Sequence, residues 1–161
     1  MSVNKYKSHV YVIPEDDANR QIIDGFLLHD AVADRAVLVR GPAGGWSKVL
    51  DVFVEEYLPK LNGLPNAHVI MVVDFDGVEN RKDYFEQRVP VEVRPRVFVI
   101  GSKDNPEILA RELKKMFEGI GNALAEECLQ DDFKLWHHDH LKHNNEELQR
   151  LREVVRPILF P

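Results

Sequence analysis

Short runs of consecutive apolar residues alternate along the chain with longer stretches in which apolar positions recur every three or four residues. "HVYVIP" (9–14), "AVLVRG" (36–41), "AHVIMVV" (67–73) and "RVFVIG" (96–101) are of the first kind and predict four strands buried on both faces. The third is the most continuously apolar and is expected at the centre of the sheet. After the first strand, Asp16 or Asp17 is placed to cap a helix whose apolar face is Ile22, Ile23, Phe26 and Leu27. "WSKVLDVFVEEYLPKL" predicts a second helix faced by Val49, Leu50, Phe53, Val54 and Tyr57, and "VENRKDYFEQRV" a shorter third. One long helix is expected from Asn105 to about Cys128, opening on Pro106, and a last one over 144–155, ended by Pro157. Doubly buried strands alternating with helices predict an α/β fold, a three-layer sandwich around a mostly parallel four-stranded sheet. No internal repeat or low-complexity tract divides the 161 residues, so a single domain is expected, its core at about 8–128 and a C-terminal helical extension at about 129–161.

Charge and composition narrow the functional classes. The net charge is −6 and the basic residues are scattered, which argues against tight nonspecific binding to DNA but leaves room for a local patch formed by folding. No apolar run reaches the ~20 residues that cross a bilayer, and "MSVNKYKSHV" has no apolar signal-peptide core, so a cytoplasmic protein is expected. Cys128 is the only cysteine and reads as a small buried hydrophobe in a reducing compartment.

The third strand runs directly into "DFDG", two aspartates separated by Phe75. In an open parallel sheet, ligands bind beyond the carboxyl ends of the strands, near the point where strand order reverses. If the first and third strands are neighbours, Glu15, Asp16, Asp17, Asp74 and Asp76 share one edge, with Ser102, Lys103 and Asp104 following the fourth strand. Period-2 alternation would send Asp74 and Asp76 to the same side and Phe75 into packing. Like charges so close disfavour joint ionisation, and Mg²⁺ (or Mn²⁺), which takes hard oxygen ligands, is the expected compensator. The alternative for Asp16 and Asp17 is a cap or turn role.

The order strand, Glu15, helix, strand, helix, strand, Asp74-Phe75-Asp76-Gly77 resembles the Toprim domain of primases, topoisomerases and overcoming-lysogenization-defect nucleases, over roughly residues 8–128. The resemblance implies Glu15 as general acid/base and Asp74 and Asp76 as Mg²⁺ ligands, with Asp16 and Asp17 auxiliary ligands or caps. It implies Mg²⁺-dependent phosphoryl transfer or phosphodiester hydrolysis, directed at nucleic acid. Asp16 stands where the family usually has Gly. A partner encoded by a neighbouring gene, as for small Toprim proteins of phage-defence systems, is a further implication.

"PEDDANRQI" also resembles the start of response-regulator receiver domains. That likeness implies Asp16 and Asp17 as metal ligands, Asp74 as phosphoacceptor and Ser102 as the receiver's hydroxyl residue. A receiver also needs a fifth strand ending in Lys, and here that stretch, "FEGIGNALAEEC", is helical in pattern and has no Lys. The protein would then be a non-enzymatic regulator.

Three softer signals complete the sequence. "GPAGGWSK" (41–48) mimics a phosphate loop with its glycines misplaced, and reads as a turn. "LWHHDHLKH" (135–143) gathers His137, His138, His140 and His143 around Asp139. His140 and His143 have a two-ligand helical spacing, too little for a zinc site, and His138 or His140 is a candidate to fold back toward Asp74 and assist proton transfer. Trp136 and Leu141 are expected to anchor the C-terminal segment. The apolar ending "VVRPILFP" is expected to pack on the domain or to meet a second copy in a homodimer.

Overall fold

The computed structural model describes residues 2–161. Four parallel strands, β1 (His9–Pro14), β2 (Val37–Val39), β3 (Ala67–Val72) and β4 (Val97–Ile100), form one sheet in the order β2-β1-β3-β4. The chain moves outward from β1 to β2 and then crosses back to β3, so strand order reverses between β1 and β3. β1 and β3 are paired along their whole length, from His9 beside Ala67 to Pro14 beside Val72. The sheet is all parallel, and the α/β sandwich is as its apolar pattern predicts.

Pleating sends alternate residues to opposite layers. Tyr11, Ile13, Val69, Met71, Val97 and Val99 face the layer built by α2 (Trp46–Val52), a π-helical turn (Phe53–Tyr57), α3 (Leu58–Gly63) and α4 (Arg81–Arg88). The π turn follows from Pro59, which cannot donate a main-chain hydrogen bond and crowds the preceding turn. Leu58 N–H reaches back to the Phe53 carbonyl instead. Val10, Val12, Ile70 and Phe98 face the other layer, made by α1 (Asp17–Leu27), α7 (Asn145–Val154) and α8 (Arg156–Leu159). Outside it lie α5 (Pro106–Leu113) and α6 (Phe117–Gln130), packed with Trp136, Leu141 and Leu148. Helices α1 and α6 meet through glycines: a Cβ on Gly121 would sit 1.8 Å from the Ile22 carbonyl oxygen, and one on Gly25 2.0 Å from that of Glu118.

Two expectations need correction. The long helix of 105–128 is two, because Lys114 turns left-handed (φ 53°) after α5 and lets Leu109 and Ile120 approach one cluster from different directions. Pro157 does not end helical structure; it occupies the first turn of the short α8. The C-terminal segment is helical as expected, and its Leu151, Val155 and Leu159 cover one face of the sheet. The tail packs on its own domain, which removes the exposed-patch argument for a homodimer.

Helix α7 also closes the β4 edge. Asn144 accepts from Gly101 N–H (3.2 Å) and donates to the Gly101 carbonyl (2.9 Å). The Glu147 carboxylate accepts from Val99 N–H at 3.0 Å, and Arg150 donates to the Arg94 and Val97 carbonyls. Side chains at three-residue spacing thus answer main-chain groups that another strand would otherwise pair. Among the described residues no strand follows β4. No helix among them is long and apolar enough to cross a membrane.

Candidate metal centre

The acidic edge forms at the β1/β3 switch point, where parallel sheets place ligands. β1 ends on Pro14, and Glu15 N–H extends the pairing to the Val72 carbonyl (2.9 Å). The Glu15 side chain then accepts from the main-chain N–H of Asp74 at 2.5 Å. The loop at 43–45 is stitched to the same corner: Ala43 N–H reaches the Pro14 carbonyl, and Gly44 and Gly45 N–H reach that of Glu15. The glycine-rich segment is therefore a turn that fixes Glu15 through its backbone.

Asp74 is buried, 6% exposed, and one of its oxygens accepts from the Asn19 amide of α1 at 3.1 Å. Burial, above all, pushes its carboxyl up to about 8; the Asn19 hydrogen bond opposes this, while Asp16, Glu15 and Asp76 add to it. Glu15, 8% exposed, is also raised by burial, against the pull of the Asp74 N–H. Its carboxylate is further raised by Asp16 and Asp76 and lowered by Arg81.

Asp76 parts from Asp74. The period-2 alternation carries on past β3, with Val73 and Phe75 joining Met71 in one layer and Asp74 facing α1, and it breaks only at Asp76. Phe75 is buried as expected, its N–H bonded to the Ser102 carbonyl, but Asp76 (φ 49°) and Gly77 (φ 69°) turn left-handed. That turn carries Asp76 to the exposed surface, where Arg81 holds it at 2.6 Å while also donating to the Asp74 carbonyl at 2.8 Å. The Arg81 guanidinium lies 4.5 Å from the centre of the Trp46 ring. Arg81, which nothing in the sequence pattern singled out, is thus the cation on this edge. Its position in the first turn of α4, five residues beyond Asp76, was the available signal.

The other predicted residues divide. Asp16 caps α1, accepting from Asn19 N–H at 2.9 Å, and Asp17 is exposed and accepts from Gln21 at 2.6 Å. Ser102 donates to the Asp104 carbonyl at 2.6 Å, and Lys103 is bound to this region through its N–H, which donates to the His140 carbonyl. His138 and His140 stack with ring centres 5.4 Å apart and both face Glu112 of α5, His140 also facing Asp104 at 3.4 Å. Neither histidine is among the partners of Asp74. His143 instead packs edge-on against Phe75, so the His140–His143 pair does not converge.

Among the described residues no three His, Cys, Asp or Glu side chains come together as a ligand group. Glu15 and Asp74 do form a pair suited to a hard cation: two buried carboxylates on adjacent strand ends, both pushed toward the protonated state. A cation there would take the proton's place, and Mg²⁺ needs no more than one or two protein carboxylates. Asp76 and Asp16 already have partners in Arg81 and the α1 N-terminus. No protein-family model, curated protein or solved structure matches this chain.

Proposed function

We propose that the β1/β3 switch point is a Mg²⁺-assisted phosphoryl-transfer site acting on a phosphodiester, with nucleic acid as its expected substrate class. The observation that carries this reading is the Asp74 N–H to Glu15 carboxylate hydrogen bond, which ties two buried acidic residues together at the ligand-binding end of the sheet. Asp74 would be the principal ligand of Mg²⁺ or Mn²⁺, with Glu15 beside it. When bound, the cation would neutralise phosphate oxygens. Glu15, its carboxyl raised above the usual carboxylate range by burial, is the residue that would hold and return the proton. Arg81, pinned over Trp46, would contact a phosphate oxygen and release Asp76 as it does so. The Toprim resemblance supports this reading. So does the fold's placement of Glu15 and Asp74 on neighbouring strands.

The receiver-like reading, with Asp74 as phosphoacceptor, has less support: the position of a fifth strand beside β4 is taken by Asn144, Glu147 and Arg150.

The test is calorimetric titration of Mg²⁺ and Mn²⁺ into the parent protein and Asp74→Asn, followed by a phosphodiester-cleavage assay on both. Binding and cleavage that vanish in Asp74→Asn support the proposal. Cleavage by Asp74→Ala equal to the parent's would reject it, and beryllofluoride uptake at Asp74 without cleavage would transfer the site to the regulatory reading.

A further inference from the structure

A cavity of about 150 Å³ lies between one face of the sheet and helices α1 and α5–α8. Its walls include Val12 and Ile70 from the strands, Ile23 from α1, Leu124 from α6, and Leu148 and Val155 from the C-terminal segment. It is distinct from the acidic edge, which it approaches through Asn19 and Ser102.

The polar groups in its lining decide what it can hold. Asn19 is bonded to Asp74, Ser102 to the Asp104 carbonyl, and Asn144 to both main-chain groups of Gly101. At the outer end Arg152 pairs with Asp131 at 2.5 Å and Arg156 donates to the Cys128 carbonyl at 2.8 Å. The two buried side-chain nitrogens without a hydrogen-bond partner, His9 Nε2 and His140 Nδ1, belong to residues outside this lining. A charged or strongly polar guest would therefore lose its hydration among walls that are mostly apolar and whose polar side chains already have partners. Water has the same difficulty, because a buried water needs two or more polar partners. A dry void of this order, walled by Leu, Ile and Phe, accepts benzene or xenon.

We propose that this cavity is a binding site for a compact apolar molecule, or the apolar end of one, of about the size of benzene. The site does not depend on the acidic edge. Phe26 and Phe160, which line the cavity and are partly buried, meet edge to face 6.1 Å apart in its wall.

The experiment is methyl NMR of the full chain titrated with benzene and, separately, under xenon pressure. Saturable shifts are expected at Ile23, Leu124, Leu148 and Val155, and none at Val69 or Met71 on the opposite face. Leu124→Phe, which fills the void, should weaken benzene binding by about tenfold or more while leaving the opposite-face methyls in place. If that variant does not fold, the xenon series on the parent decides. Absence of saturable shifts in the parent, or equal shifts on both faces of the sheet, would overturn the proposal, as would undiminished binding by a folded Leu124→Phe.

Discussion

The two faces of the sheet are built to different standards. Under α2–α4, Ile13, Val69 and Met71 are fully buried at 0% exposure, and Phe53 and Phe85 close over them to the same degree. Under α1, α7 and α8, Val10 and Phe98 are as deeply buried, but Val37, Val72 and Ile100 are only partly covered and line the cavity. One continuous element, the α2–α3 helix with its π turn, lies along the first face; the second is roofed by helices from the two ends of the chain. A close-packed layer gains dispersion contacts that a layer with a void forgoes. The first face is therefore expected to supply more of the stability, and the second to supply room.

The strongest challenge to that contrast is Phe53→Ala, expected to cost about 3–5 kcal/mol in denaturant unfolding. Leu148→Ala, beside the cavity, is expected at the low end of large-to-small changes, about 2 kcal/mol, because its neighbours already lack atoms on one side. Equal losses at the two sites would erase the distinction between the faces. Glu147→Ala should cost about 1–3 kcal/mol by orphaning the buried Val99 N–H. Glu147→Gln, which keeps an acceptor but loses the Arg150 ion pair, should cost less. Read per pH unit, the smallest effect is at Asp74, whose hydrogen-bond partner Asn19 comes from the second face. Its folded carboxyl sits at about 8 while the unfolded chain releases the proton near ~3.9, so the folded state holds a proton that the unfolded state has lost. The contribution of Asp74 to stability should be fully present below pH ~4 and be lost as pH rises toward 8, by no more than about 1.4 kcal/mol per unit. Asp74→Asn should flatten the curve across that window, as followed by thermal unfolding at fixed ionic strength.

The apolar pattern carried the architecture well. The first strand begins and ends where "HVYVIP" does, and Asp16 caps the first helix. These are local signals, set by side-chain period and capping chemistry. The break at Lys114 was not legible, because a lysine in a left-handed turn leaves no Gly or Pro to mark it. At the site, the sequence brought Glu15 and Asp74 together through the fold rule for strand ends. It did not foresee that Asp76 leaves the side of Asp74, because the alternation breaks at Asp76 itself, which turns left-handed with Gly77. Asn19 was missed for a different reason, since it meets Asp74 only through the packing of α1 against the sheet, whereas Arg81 was marked by nothing but its place in the first turn of α4.

The side-chain ladder of α7 bears on how this protein behaves in company. On that flank every neighbour-seeking group of β4 that Asn144, Glu147 or Arg150 engages is already occupied, so an incoming strand would have to evict a whole helix before it could dock. The opposite border is β2, only three residues long, which offers an approaching strand little to pair with.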